Sequence, residues 1–313
     1  MFTLIFVLNL CDAVSAALPG DATLRLCEHD TSLHEGSCES LSTSASSTPA
    51  TVGSAADCKL AQVDRHRAIT FFIMRHAQGE HNVHSIDIPD ASLTPLGFRQ
   101  ATSAGRKVRE LFSTPATTTT TDRCASTIHG PVDLIVSSPL RRTIQTALNA
   151  FPVASLHDQS VVRRNKILLL PELQELHDKP CDIGVEVSDM SEQYFTAEEM
   201  QLLNTTLVKP GWYVKGPAHD DEVRAAARGA ALQQRLVDLL LRPENANVSR
   251  VVLVVHHGIM RHWLWGGSSH PLRHAGVSRC VMLLNNTRDY PDLTNDHRPE
   301  CGDAIVLPDV VTE

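Results

Sequence analysis

The segment that most restricts the fold is a continuous run of β-branched residues late in the chain. It spans Arg250–Val255, with the sequence RVVLVV, and continues directly into His256, His257 and Gly258. A run without polar alternation is typical of a strand buried on both faces, as in a parallel sheet that is covered by helices on either side. The sequence therefore predicts an α/β protein with this strand deep in its sheet.

Several other segments complete a pattern of alternating strands and helices. Strands are predicted at residues 69–74, 132–136, 166–170 and 280–284, and helices follow Thr94, follow Ser138 and span residues 220–241. Thr94 and Ser138 are expected to cap their helices, because hydroxyl oxygens accept hydrogen bonds from the first free N–H groups. Residues 182–217 are expected to be irregular and to cover the site. The alternation predicts a three-layer α/β sandwich, with a mostly parallel sheet and helices on both faces.

The first 65 residues differ in character from the rest of the chain. Residues 1–17 hold a short apolar run followed by small residues, which fits either a signal peptide or a disordered leader. Residues 18–65 are rich in small and hydroxyl residues and are predicted to be disordered, because such a segment buries too little apolar surface to fold. A single catalytic domain is predicted over residues 66–313. The compartment is predicted to be either cytoplasmic or secreted.

Charge and composition argue against several classes of partner. The formal net charge is −8, so the chain has no general positive surface for nucleic acid. It contains no run of about 20 apolar residues, which argues against stable insertion into a membrane. The eight cysteines include no Cys-x-x-Cys pair, so neither a zinc ribbon nor a thioredoxin-type site is indicated. The expected partner is a small molecule, and the oligomeric state stays open.

Charged and polar side chains follow the predicted strands. Arg75 and His76 come at the end of the first strand, Arg142 follows the second, and Glu175 follows the third. Because parallel strands point the same way, these side chains are expected at one rim of the sheet. The planar guanidinium group of arginine matches the oxygens of a phosphoryl group. The sequence thus predicts a site for a phosphorylated ligand, with no metal ion and no other cofactor.

Five short motifs occur in order along the chain. They are Arg75-His76-Ala77, Leu93-Thr94-Pro95-Leu96-Gly97, Ser138-Pro139-Leu140-Arg141-Arg142-Thr143, Leu173-Gln174-Glu175 and His257-Gly258. Together they resemble the histidine phosphatase superfamily, and within it the branch that contains phosphoglycerate mutase and its phosphatase relatives. The resemblance covers most of the chain, from about residue 70 to about residue 284. It implies a phosphoglycerate mutase-like fold and chemistry that needs no metal ion.

The resemblance also implies catalytic roles. His76 matches the nucleophile that accepts the phosphoryl group as a phosphohistidine, and His257 matches the second histidine of the site. Glu175 stands where the family has its proton donor. Two neighbours compete for these assignments: His256 directly precedes His257, and Glu172 is a rival acid.

Four residues match the family's phosphate-binding positions. Arg75 and Arg142 match the two arginines of the pocket, and Asn82 matches a polar residue that is frequent there. His257 is expected to contact the transferring phosphoryl group as well.

Three functions are compatible with these residues. The preferred one is a phosphatase that hydrolyses a phosphomonoester through a phosphohistidine. A phosphoglycerate-type phosphomutase is the first alternative, but it must hold a second anionic group, and the only basic cluster available for this is Arg163, Arg164 and Lys166. A noncatalytic protein that binds a phosphorylated ligand is the second alternative.

Overall fold

A computed structural model describes residues 66–113, 130–215, 222–264, 272–285 and 300–305. In chain order the helices and strands are β1 (His66–Arg75), α1 (Pro95–Ser113), β2 (Leu134–Ser137), α2 (Arg141–Ala150), α3 (Val153–His157), β3 (Ile167–Leu169), α4 (Val187–Gln193), α5 (Ala197–Gln201), β4 (Leu203–Asn204), α6 (Glu222–Leu240), β5 (Arg250–Val255), α7 (His257–Leu264), β6 (Val277–Asn285) and β7 (Glu300–Ile305). The leader and the low-complexity segment predicted over residues 1–65 lie outside the described residues. The predicted domain boundaries stay predictions.

The strands form one mixed sheet in the order β4-β3-β2-β5-β1-β6-β7. Strands β4, β3, β2, β5 and β1 run parallel to one another. Strand β6 pairs antiparallel with β1 and with β7. The predicted mostly parallel sheet is therefore confirmed, with β5 at its centre. Cys280 on β6 is disulfide-bonded, and its register partner on β7 is Cys301.

Two hydrophobic cores lie on opposite faces of this sheet. Along β1, Phe72 and Met74 belong to one core, while Phe71 and Ile73 belong to the other. The first core is completed by α1 and α2, and the second by α6 and α7. Side chains of a strand alternate between its faces, so a continuous apolar run supplies both cores at once. This is the three-layer arrangement predicted from the sequence.

The helices agree with the sequence in part. Thr94 caps α1 as predicted, because its Oγ1 accepts a 2.9 Å hydrogen bond from the Gly97 N–H. Ser138 does not cap α2: that helix begins at Arg141 after the extended residue Leu140, without a side-chain cap. The prediction of irregular structure over residues 182–217 was also wrong in part, since α4, α5 and the short strand β4 lie there. Within the described part of the chain, no helix is both long and apolar enough to cross a membrane.

The ends of the central strands are tied together by main-chain hydrogen bonds. The N–H of His76 donates to the carbonyl of Val255 at 2.9 Å, and the N–H of Ser138 donates to the carbonyl of Val254 at 3.0 Å. The residues that directly follow β1, β2 and β5 are thereby held side by side at one rim of the sheet.

Candidate active site

His76 lies at this rim and is almost completely buried. Its Nδ1 is 2.7 Å from the carbonyl oxygen of Ala77. A carbonyl can only accept, so Nδ1 carries the proton and Nε2 keeps its lone pair. Burial and the positive charges of Arg142 and Arg75 hold the pKa of His76 well below its usual range. The ring is therefore a neutral imidazole with a free nucleophilic nitrogen.

Three further imidazoles surround His76. Their ring centroids lie 5.1 Å (His256), 5.6 Å (His81) and 5.7 Å (His274) from that of His76. Burial is the main cause that lowers the pKa of all three, to about 3 for His81 and about 4 for His274. Neutral imidazoles can each offer one N–H donor to an anion. From the sequence, His76 was expected here and His256 was a competitor of His257, whereas no role was predicted for His81 or His274.

The second histidine is a case where the geometry differs from the expectation. His257 was assigned this role, but the structure brings His256 against the ring of His76. Arg75 pairs with Val255 in the β1–β5 register, so the next residues, His76 and His256, are adjacent and share a face. His257 is the first residue of α7, is half-buried, and lies close enough to His274 to lower the pKa of that ring. Side chains alternate along a strand, so the β1–β5 register decides which of the two histidines shares a face with His76.

Arg75 and Arg142 both lie close enough to lower the pKa of His76, as expected for a common pocket. The Nη1 of Arg75 donates to the carbonyl of Leu272 at 2.9 Å, and Nη2 donates to Nε2 of His274 at 3.2 Å. Arg142 is fully buried, donates to the carbonyl of Cys181, and forms a 2.6 Å ion pair with Asp182. Because these contacts use the terminal nitrogens, they fix both guanidinium groups in place.

Four residues of this pocket keep a buried nitrogen without a hydrogen-bond partner among the described residues. These atoms are Nε of Arg75, Nε of Arg142, Nδ1 of His256 and Nδ1 of His81. Leaving one such group unpaired costs about 1–3 kcal/mol. Several unpaired nitrogens around one neutral nucleophile are therefore well explained if an oxyanion binds between them.

The expected proton donor Glu175 follows β3, and its side chain lies against the first residues of α7. Its carboxylate accepts hydrogen bonds from the N–H groups of Leu176, Gly258 and Ile259, at 2.8, 3.1 and 3.2 Å. The position of this carboxylate depends on Gly258, because a Cβ there would lie 2.2 Å from Oε1 of Glu175. The rival acid Glu172 instead forms a 3.2 Å ion pair with Arg235 on α6. The structure thus places Glu175, and not Glu172, beside the residues that follow β5.

Asn82 does not occupy the expected position against a phosphoryl group. Its Oδ1 accepts a 2.9 Å hydrogen bond from the Gly79 N–H, and its Nδ2 is 3.0 Å from Nε2 of His81. The side chain is exposed, and both of its polar atoms are used within the loop after β1. The half-buried imidazole of His81 instead comes close to His76, with 5.6 Å between the ring centroids.

Two residues near the pocket were not foreseen. Asp182 is the buried partner of Arg142, and burial raises its pKa. Lys215 lies in the segment after β4, and burial lowers its pKa to about 8, with Asp182 acting in the opposite direction. The segment is held in place by Trp212, whose Nε1 donates to the carbonyl of Val185 at 2.9 Å. In the part of the chain that is described, no group of three or more His, Cys, Asp or Glu side chains is arranged to hold a metal ion.

Two curated proteins of Arabidopsis thaliana are similar in sequence to part of this chain. The chain is 36% identical over 106 residues to phosphoglycerate mutase-like protein 1 of Arabidopsis thaliana, covering 31% of this chain and 32% of that protein. It is 38% identical over 95 residues to phosphoglycerate mutase-like protein 2 of the same plant, covering 28% of this chain and 23% of that protein. The chain resembles the phosphoglycerate mutase-like branch of the histidine phosphatase superfamily. It spans about a third or less of the length of these curated relatives.

Two solved structures are also similar to the chain. A phosphoserine phosphatase from Entamoeba histolytica is 16% identical, with 75% of this chain and 96% of that chain covered at a TM-score of 0.41. A phosphoglycerate mutase from Bacillus anthracis is 15% identical, with 69% and 89% covered at a TM-score of 0.41. No family model matches the chain.

Proposed function

We propose that this protein is a phosphatase that hydrolyses a small phosphomonoester through a phosphohistidine at His76. The observation that carries the proposal is the state of that ring: it is neutral, its Nε2 is free, and two arginines stand beside it. An imidazole nucleophile divides one difficult displacement into two easier ones.

The first step would be attack by Nε2 of His76 on the phosphorus atom. The N–P bond forms as the P–O bond to the leaving alcohol breaks, and the phosphoryl oxygens gain negative charge. Arg75, Arg142 and His256 would stabilise this charge through their unpaired nitrogens. Because the guanidinium groups are already held by Leu272, His274, Cys181 and Asp182, little reorganisation is needed.

The leaving oxygen needs a proton, and Glu175 is the proposed donor. The same carboxylate would then take a proton from the water that attacks the phosphohistidine, so that the N–P bond breaks and inorganic phosphate is released. At rest, three N–H groups donate to the Glu175 carboxylate. We infer that the Glu175 side chain moves towards the leaving oxygen when substrate binds.

The mutase alternative loses its main support in this fold. Arg163 pairs with Asp133 at 3.0 Å, and Arg164 donates to Asn245 at 2.6 Å. Both residues precede β3 and so belong to the opposite end of the sheet from His76. Lys215 is a cation near the pocket and could hold a second anionic group, so mutase activity remains the alternative to be measured.

The test is phosphate release from an aryl phosphate and from a panel of small phosphorylated metabolites, with and without a chelator. We expect release that the chelator does not change and that His76→Ala abolishes. His157→Ala removes an exposed histidine of α3 and serves as the matched control, with activity unchanged. An acid-labile, alkali-stable phosphoryl group on the quenched wild type, absent from His76→Ala, would support the intermediate.

Other outcomes point to the alternatives. Isomerisation of a phosphoglycerate without phosphate release would replace the phosphatase by the mutase. Binding of inorganic phosphate with neither reaction would support the noncatalytic ligand-binding protein.

A further inference from the structure

The tautomer of His81, a half-buried imidazole of the pocket, is fixed by a chain of hydrogen bonds that starts at the main chain. The N–H of Gly79 donates to Oδ1 of Asn82 at 2.9 Å. A main-chain N–H can only donate, so this atom of Asn82 must be the oxygen and the other must be the amide nitrogen.

The amide nitrogen of Asn82 in turn lies 3.0 Å from Nε2 of His81. This nitrogen can only donate, so Nε2 of the neutral His81 ring must accept. The ring proton is therefore on Nδ1. Burial, together with the positive charges of Arg142 and Arg75, lowers the pKa of His81 to about 3, so the ring stays neutral with one N–H.

The N–H at Nδ1 has no partner of its own. It is buried and unpaired among the described residues, although the ring lies 5.6 Å from that of His76. The ring reaches this place because Gly79 has no side chain: a Cβ there would be 2.7 Å from Nδ1 and 2.8 Å from Cε1 of His81. A buried donor without an acceptor indicates that a ligand supplies the acceptor.

We propose that His81 binds the transferring phosphoryl group through a neutral Nδ1–H, and that Asn82 is a positioning residue that sets the tautomer of His81. The inference rests on the proposed phosphatase function for the identity of the ligand. The hydrogen-bond chain itself can be tested without turnover. It assigns to His81 a direct contact that the family resemblance implied for Asn82.

The sharpest perturbation is Asn82→Asp. The new carboxylate still accepts from Gly79, but it cannot donate to Nε2 of His81. Nε2 must then carry the proton and donate, which leaves Nδ1 as an acceptor that repels a phosphoryl oxygen. We expect the affinity for inorganic phosphate to fall by about tenfold or more, and kcat/KM by a similar factor.

Two controls separate this effect from a simple change of charge or shape. Val83→Asp adds the same charge at the exposed neighbouring residue and is expected to change phosphate affinity by less than about threefold. His81→Phe keeps a ring but removes the donor, and it should weaken phosphate binding by about as much as Asn82→Asp.

The tautomer is read directly from long-range 1H–15N spectra of protein with labelled histidines. We expect His81 to be protonated at Nδ1 in the wild type and at Nε2 in Asn82→Asp. Protonation of Nε2 in the wild type would overturn the inference, and so would unchanged phosphate affinity in Asn82→Asp or in His81→Phe. The expected tautomers and phosphate binding in a wild type without phosphate release would refute the proposed phosphatase and leave the His81 contact standing.

Discussion

Asp90 gives the molecule a dependence of stability on pH that can be worked out from its surroundings. It lies in the loop between β1 and α1, is 1% exposed, and has a φ of 37°. Its Oδ1 accepts a 2.9 Å hydrogen bond from the Arg141 N–H, whereas Oδ2 is buried with no partner among the described residues. Burial raises the pKa of Asp90 from 3.8 to about 7, although Arg141 and Arg142 act in the opposite direction.

The sign of the effect follows from the direction of this change. Below the unfolded pKa of 3.8, Asp90 is protonated in both the folded and the unfolded state and does not lower the free energy of unfolding. As pH rises towards about 7, the unfolded chain ionises while the folded protein still holds the proton, so stability falls. The complete effect is about 4 kcal/mol, and the share lost between about pH 5 and about pH 8 is about 2–3 kcal/mol.

The variant that tests this is Asp90→Asn, because asparagine tolerates a positive φ and its amide oxygen still accepts from Arg141. Urea unfolding of wild type and variant should show the variant gaining about 2–3 kcal/mol relative to wild type between about pH 5 and about pH 8. Taking this difference removes the contributions of the buried histidines, which both proteins share. Asp87→Asn changes an exposed carboxylate of the same loop and should follow the wild type throughout. Parallel profiles for wild type and Asp90→Asn would refute the reasoning.

Three further predictions concern catalysis. His256→Asn should lower kcat/KM by about 100-fold or more and His257→Asn by less than about tenfold, and the opposite order would restore the role to His257. Gly258→Ala should displace the Glu175 carboxylate and lower kcat by about 100-fold, with little change in phosphate affinity; unchanged kcat would argue against Glu175 as proton donor. Because the pKa of His76 is held well below 6.5, kcat at saturating substrate should fall by less than about threefold from pH 7 to about pH 5. For a histidine with an ordinary pKa, the neutral fraction, and kcat with it, would fall by about 30-fold over that range. Such a loss in the measured profile would contradict a neutral His76.

Much of the fold follows from local signals in the sequence. The run RVVLVV could only be stable as a doubly covered strand, and Thr94 with Pro95 marks the start of α1, as the structure confirms. Ser138 carried the same local signal, but α2 begins later, at Arg141, and the Ser138 hydroxyl is 2.9 Å from Nε2 of His256, more than 100 residues away. Local propensity cannot predict such a distant competitor.

The candidate site, like the fold, could be predicted from the sequence only in part. His76, Arg75, Arg142 and Glu175 come together because they follow parallel strands, which the alternation of elements predicts. The choice between His256 and His257 depends on which of the two side chains, after the end of β5, lies on the same face of the sheet as His76. That choice needs the register with β1, which a motif read in isolation does not contain.

The direct pairing of β1 with β5 also bears on how this protein could change over time. His76 and His256 are spaced by main-chain hydrogen bonds between two central strands, not by the loops that follow them. Surface loops can therefore lengthen, shorten or exchange, and so alter which molecule is admitted, while the reacting geometry stays as it is. A slip of one residue between these two strands would turn one imidazole to the opposite face and separate it from the other. Changes in the loops can therefore alter the molecule that the site accepts, whereas the register between β1 and β5 has to be kept.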